Sequence, residues 1–314
     1  MRKNELTPAL VRCLISRTFP AWADLPVRRV DLDGWDNATF RLGDSLSVRL
    51  PSADGYVPQI AKEHRWLPAL APALPLPIPR PVAMSGPACG FPRPWSVYRW
   101  LEGDVAASAA ITDPVTFADD LARFLVALRM VDATGGPAAG GHSFGRGGPL
   151  DTYDAETRAA VAALDGRIDV PAAIRTWEDA LDRPWRGAPV WVHGDVSPSN
   201  LLVRDGRLAA VIDFGCCAIG DPACDTVMAW TWFSGRAGAT FRRALDLDAD
   251  TWARGRGWAL WKALVTLRDL PDDVELAATV RRMGWRFGPA EVIARVTGTD
   301  DRLTRQTEPR DSGS

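Results

Sequence analysis

Histidine is scarce in this chain, three in 314 residues, and His142 has no second histidine near enough in sequence to suggest a metal pair. Cysteine offers no more: Cys13, Cys89, Cys216, Cys217 and Cys224 are odd in number and scattered, which matches neither a disulfide framework nor a zinc spacing. An excess of positive charge is missing too. The formal net charge is -2, and with no basic tract or aromatic-basic patch, nucleic acid is excluded as a partner. No apolar run is long enough to span a bilayer, and Met1-Arg2-Lys3-Asn4-Glu5 carries no signal-peptide pattern. A cytoplasmic protein without a membrane partner is expected.

What is present is chemistry at fixed spacing. His193-Gly194-Asp195 is followed by Asn200 and then by Ile212-Asp213-Phe214-Gly215. Phosphoryl transfer needs one carboxylate to accept the proton of an attacking hydroxyl, with an amide and a second carboxylate to hold magnesium. Pro189-Val190-Trp191-Val192 reads as a short buried strand that delivers His193 and Asp195 into a turn. Leu201-Leu202-Val203 and Leu208 to Ile212 pair through an Asp205-Gly206 hairpin turn, which sets Asp213 at the hairpin end facing Asn200. Taken singly, Asp and Asn fill turns and caps for conformational reasons; in this order and spacing the three make a site. Asp221 before Pro222 makes a helix N-cap. Asp225 in an apolar stretch needs a buried partner, such as the catalytic-loop backbone or His193. His193, Asp221 and Asp225 are therefore read as structural support for the loop.

On these residues, and on Gly220-Asp221-Pro222-Ala223-Cys224-Asp225, the chain resembles the aminoglycoside phosphotransferase family of small-molecule kinases, which includes macrolide, choline, fructosamine and homoserine kinase relatives. The resemblance implies an α+β, bilobal, protein-kinase-like fold. Its N-terminal lobe would be an antiparallel sheet with one main helix and its C-terminal lobe mostly helical, at 1–101 and 102–300, with a disordered tail at 301–314. It also implies ATP or GTP and Mg2+ between the lobes, Asp195 as catalytic base, and Asn200 and Asp213 as metal ligands.

In the N-terminal part, Val27 to Asp33, Ala38 to Leu42 and Ser45 to Leu50 read as a three-strand meander. Its first turn holds a single glycine, Gly34, so no glycine-rich fingerprint exists. Backbone amides with Asn37 or Thr39 would have to meet the phosphates. Where the family pattern implies a phosphate-binding lysine the chain has Arg49, which keeps the charge but needs a different pocket. Its expected partner is Glu63, on a helix from about Tyr56 to Leu70. Alternate prolines from Leu74 to Pro81 force an extended strap. Trp95 to Gly103 occupies the position of the interlobe hinge, making Val97, Tyr98 and Arg99 candidates for the purine edge.

Asp113-Pro114 opens a core helix, and Gly135 to Gly148 reads as a long, mobile surface loop. Further helices are expected near Ala155 to Ala163, Ala172 to Leu181, Ala223 to Trp232, Arg242 to Leu245, Thr251 to Leu267 and Val274 to Arg282. Fourteen tryptophans are mostly core, with a few available to line an acceptor pocket. Asp246, Asp248, Asp250, Asp269, Asp272, Asp273 and Glu275 suit either solvated helix ends or a polycationic substrate. Modification of Cys216 and Cys217, just after Asp213, is expected to block activity. The composite reading is an O-phosphotransferase that uses a nucleoside triphosphate and a small hydroxylated acceptor, an aminoglycoside or related antibiotic by family analogy. A metabolic kinase of the same fold and a nucleotide-binding pseudokinase are the alternatives. Oligomeric state is not legible.

Overall fold

The computed structural model describes residues 3–30, 34 and 36–269. Met1, Arg2, Asp31 to Asp33, Trp35, Asp272, Asp273, Glu275, Trp285, the expected helix Val274 to Arg282 and the tail with 301–314 lie outside the described residues.

The N-terminal lobe is a five-stranded sheet of β1 (Val27–Arg29), β2 (Asn37–Leu42), β3 (Leu46–Pro51), β4 (Pro81–Ser85) and β5 (Trp95–Arg99), in the order β1-β2-β3-β5-β4. Adjacent strands pair antiparallel throughout. Period-two alternation decides what each face does. Ala38, Phe40, Leu42, Leu46, Val48, Leu50, Trp95 and Val97 pack against Val11, Leu14 and Ile15 of α1 (Pro8–Thr18). The other face carries Thr39, Arg49 and Ser96, which lie side by side in register.

Helix α1 was not expected from the sequence, although its start is marked there. Thr7 accepts a bond from the Leu10 N–H at 3.3 Å and Pro8 fills the first turn, the usual N-terminal signature. A disulfide between Cys13 of α1 and Cys89, in the β4–β5 connection, corrects the expectation that no cysteines pair. Their separation of 76 residues hides the pairing from any spacing rule, since only the fold brings them together.

Helix α2 (Val57–Leu70) packs on β4 and β5 and buries Ile60, Glu63 and Leu67. The proline strap follows, with the Pro77 carbonyl accepting from the Val211 N–H at 3.1 Å. The strap thereby ties the N-terminal lobe to Val211 of the C-terminal lobe.

The C-terminal lobe contains β6 (Asp104–Val105), α3 (Pro114–Met130), α4 (Asp154–Ala163), α5 (Val170–Leu181), β7 (Val190–Val192), β8 (Leu201–Arg204), β9 (Arg207–Val211), β10 (Ala218–Gly220), α6 (Met228–Thr231), α7 (Gly235–Leu245) and α8 (Ala249–Asp269). The expected helix from Ala223 to Trp232 is instead a 3-10 turn over Pro222–Thr226 followed by the short α6. Asp113 caps α3 as expected, accepting from Val115 and Thr116. Trp177, Trp191 and Trp258 are fully buried in one core with α3, α7 and α8. Strands β8 and β9 join through Asp205 and Gly206, both at positive φ (54° and 74°), the primed turn that an Asp-Gly pair favours.

The segment from Gly135 to Gly148 is not a detached surface loop. Ala139 donates to the Ile219 carbonyl, Ile219 to that of Pro137 and Asp221 to that of Gly147, so the segment pairs with β10. Glycine serves close approach here: a Cβ on Gly220 would lie 2.0 Å from the Gly147 carbonyl oxygen.

Among the described residues, no helix is long and apolar enough to cross a membrane.

Candidate active site

The site is assembled where β7 and the β8–β9 hairpin end. Gly194 sits at φ 84°, and a Cβ there would lie 2.5 Å from the Cys216 carbonyl oxygen; only glycine passes this point unstrained. The turn is fastened from beneath by Asp225, whose carboxylate accepts from the His193 N–H at 2.8 Å and the Gly194 N–H at 2.7 Å. Burial raises the Asp225 pKa, opposed by His193 and these two amides.

His193 is fully buried. Its Nδ1 accepts from the Asp195 N–H at 3.2 Å, which leaves Nε2 to donate to the Ile212 carbonyl at 3.0 Å. That assigns the Nε2–H tautomer and links the Asp195 turn to the strand that carries Asp213.

Asp195 is engaged at both oxygens. Asn200 Nδ2 donates to Oδ2 at 3.2 Å and to the Asp195 carbonyl at 2.8 Å, while Lys262 Nζ on α8 lies 2.9 Å from Oδ1. Burial would raise the Asp195 pKa, but Lys262, with Arg146 and His193, outweighs it and brings the group down to about 2. Lys262 was not a sequence candidate, because it stands 67 residues away on a helix whose pattern reads as core.

Asp213 follows the end of β9 in a left-handed conformation, φ 65°, with its carboxylate accepting from the Gly215 N–H at 3.4 Å. A non-glycine residue held there costs about 1–3 kcal/mol, a strain that clusters at functional sites. The Ile212 N–H donates to the Asn200 carbonyl at 2.9 Å, so Asn200 and Asp213 flank one strand pair. Asn200 has committed its Nδ2, which leaves Oδ1 as the atom able to ligate a cation. An amide oxygen and a carboxylate, with other positions open to phosphate and water, fit Mg2+, a hard ion that keeps waters and seldom takes an all-protein cage. Among the described residues, no group of three or more His, Cys, Asp or Glu is arranged as such a cage.

On the upper lobe Arg49 and Glu63 come together at 3.8 Å. The Tyr98 hydroxyl donates to Glu63, and the Arg49 guanidinium lies over the Tyr98 ring at 4.6 Å. Burial works against the Arg49 charge, yet Glu63, Tyr98 and Asp213 outweigh it. Thr39 lies directly across β2–β3 from Arg49, and Asn37 is on the same half-exposed face.

Val97, Tyr98 and Arg99 lie on β5, which has β3 on one side and β4 on the other. β5 is an inner strand: Val97 pairs with Val48 and Ala83, Tyr98 with Ser47 and Pro81, and the Arg99 N–H donates to Arg80. Tyr98 is a buried partner of Glu63, and the chain leaves the sheet only at Leu101 to Gly103.

Sequence reasoning also missed Asp36, in the turn before β2. Its carboxylate accepts from Gln59 Nε2 at 3.1 Å. Burial, with Gln59 opposing and Asp213 and Asp195 assisting, raises its pKa to about 6. The folded state therefore loses stability as pH rises from about 4 through about 6, where Asp36 ionises against two other carboxylates. In the nucleotide-free protein, Asp36→Asn is expected to gain about 1 kcal/mol at pH 8, allowing for solvent screening, and nothing at pH 4. Paired thermal melts at the two pH values check this, and a gain equal at both would refute it.

Asp221 is a buried cap. Its carboxylate caps Ala223 at 3.0 Å and meets Arg254 of α8 at 2.7 and 3.1 Å, a buried bidentate pair. Cys216 and Cys217 are buried, and burial pushes the Cys216 thiol up to about 12 and Cys217 higher still. Such thiols resist alkylation in the folded protein, because the thiolate is the reactive form. Iodoacetamide at pH 7.5 should leave the native enzyme active and label both positions only after denaturation, as peptide mapping would show. Of the acidic residues, Asp248 caps Thr251, Asp250 pairs with Arg183 and Asp269 with Arg268, so these serve helix ends.

The geometry agrees with what comparison finds. No curated protein matches the chain. Among solved structures, the GDP and kanamycin complex of APH(2")-IIia aligns with TM-score 0.64 at 19% identity over 86% of this chain and 95% of that one. The streptomycin-ATP-APH(2")-IIa ternary complex gives 0.56 at 19% identity, covering 83% and 89%. The macrolide 2'-phosphotransferase MphH from Brachybacterium faecium gives 0.55 at 21% identity, covering 87% and 97%. These likenesses establish the kinase-like fold. The model of the phosphotransferase enzyme family matches residues 27–258, more than half of the sequence. The chain belongs to that family and is an enzyme of the small-molecule kinase type.

Proposed function

We propose that the protein transfers the γ-phosphoryl group of ATP or GTP to a hydroxyl of a small molecule. The observation that carries this reading is the convergence of Asp195, Asn200 and Asp213 at neighbouring strand ends, tied by the Asn200–Asp195 and Ile212–Asn200 bonds. The nucleotide would lie between the lobes, with Arg49 in reach of its phosphates, Thr39 and Asn37 beside it, and the hinge from Val97 to Gly103 along its purine edge. Asp195 orients the acceptor hydroxyl and takes its proton late, as suits a carboxylate of low pKa acting on a loose transition state. Asn200 and Asp213 would hold magnesium, which when bound supplies positive charge against the phosphate oxygens. Positioning is the larger part of the catalysis.

Solved neighbours of this fold bind kanamycin or streptomycin beside a nucleotide, which supports an aminoglycoside or related antibiotic as acceptor. A metabolic kinase of the same fold is the second reading, favoured by the cations Lys262 and Arg146 beside Asp195. The test is release of ADP or GDP with transfer of labelled γ-phosphate across a panel of hydroxylated acceptors. Absence of any nucleotide turnover would overturn the reading and leave a nucleotide-binding pseudokinase.

A further inference from the structure

Arg146 is a half-buried guanidinium for which, among the described residues, no carboxylate is within ion-pair distance. It lies over the Trp261 ring at 4.2 Å and within 5.6 Å of the rings of Tyr153 and Trp258, and it donates to the Tyr153 hydroxyl at 3.0 Å. Its backbone belongs to the segment paired with β10, and a Cβ built on Gly194 would lie 3.0 Å from Arg146 Cβ. Three aromatic rings and a fixed backbone hold this side chain next to the residue that precedes Asp195. Lys262 reaches the same carboxylate from α8. Asp195 neutralises Lys262, and among the described residues no carboxylate within ion-pair distance neutralises Arg146. Glu156 accepts from the Trp261 indole N–H at 2.9 Å and lies 4.0 Å from Arg268, so it is already engaged.

We propose that Arg146 and Lys262 form a cationic acceptor subsite beside Asp195, which takes a hydroxylated acceptor bearing a carboxylate or phosphate, not an ammonium group, next to the reacting hydroxyl. The proposal rests on the phosphotransferase reading and narrows its acceptor away from polycations. A guanidinium packed on aromatic faces loses little rotamer freedom when it binds a planar carboxylate or a phosphate in bidentate fashion. An ammonium group brought to the same point would meet the uncompensated guanidinium charge of Arg146 in a partly desolvated site. Fourteen tryptophans made the aromatic wall visible in the sequence, but the cation they hold comes from a segment that reads as loop.

The test is kcat/KM for acceptors ordered by charge, with kanamycin as the polycation, glucose and sorbitol as uncharged compounds, and gluconate and glucose 6-phosphate as anions. The expected result is turnover with an anionic member at least tenfold above the others. Arg146→Gln should raise KM for that acceptor at least tenfold with kcat held within a few-fold, and Arg146→Lys should recover part of the loss. A polycation as best acceptor, or nucleotide hydrolysis with no anionic acceptor used, overturns the proposal and leaves the phosphotransferase reading standing. Equal loss of kcat by Arg146→Gln with every acceptor, water included, overturns it too, since the cation would then serve the transferred phosphoryl. Thermal melts of both variants identify a mere folding defect, and where Arg146→Gln does not fold, the wild-type charge ranking decides alone. No nucleotide turnover with any acceptor would sink the underlying reading and the proposal together.

Discussion

Replacing Asp195 by asparagine is expected to lower phosphoryl transfer by about three orders of magnitude, the middle of the range for loss of a positioned acid-base group, while nucleotide affinity stays within a few-fold. The asymmetry follows from the arrangement. Asp195 meets Lys262 at one carboxylate oxygen and, at the other, Asn200, the proposed metal ligand. Asparagine keeps the size and can still accept from Asn200, so the fold of the turn is preserved and the lost function is the proton-accepting charge. Single-turnover rates with saturating nucleotide, read beside nucleotide titration, separate the two quantities. A variant that loses affinity and turnover in equal measure would show that Asp195 belongs to the nucleotide site instead.

The second large effect concerns stability. Arg254→Ala removes one half of a buried bidentate pair, both side chains being about 5% exposed, and strands the Asp221 carboxylate away from water. Breaking such a pair costs about 3–5 kcal/mol, which for a domain of this size corresponds to a fall in Tm of roughly 10 °C. Asp221 also caps the turn that carries Asp225, so the damage reaches the His193–Gly194 turn. Replacing both partners by apolar residues of similar volume should recover much of the loss, because the uncompensated charge is then gone. Calorimetry on the single and double variants decides. A single variant within 1 °C of wild type would show the pair to be solvated in practice.

The strands around the candidate site were legible because their signals are local. A buried three-residue strand, an Asp-Gly turn and an Asp-Pro cap each speak within a few residues, and the side-chain period of two then places Asn200 and Asp213 together. The Arg49–Glu63 pair was legible only through the resemblance, since each residue alone reads as a solvated charge. What escaped was non-local. Lys262 and Arg254 are cations on a helix whose spacing announces core, and nothing in that spacing says which carboxylates they meet. Asp36 looked like a turn residue until the fold set it opposite Asp213 and Asp195. Gly135 to Gly148 looked flexible because glycine serves two purposes, freedom and close approach, and only the neighbouring Gly220 reveals which applies. That β5 lies between β3 and β4 was not legible for a related reason, since strand order cannot be read from one strand.

The central claim is that Asn200 and Asp213 hold the metal of a nucleotide bound between the lobes, with Asp195 working on the other side. The most direct measurement is nucleotide affinity with and without Mg2+ in three proteins. Wild type and Asp195→Asn are predicted to bind ATP or GTP at least tenfold tighter with Mg2+ than with EDTA, and Asp213→Ala is predicted to show no such gain. The same magnesium dependence in Asp213→Ala as in wild type would contradict the account.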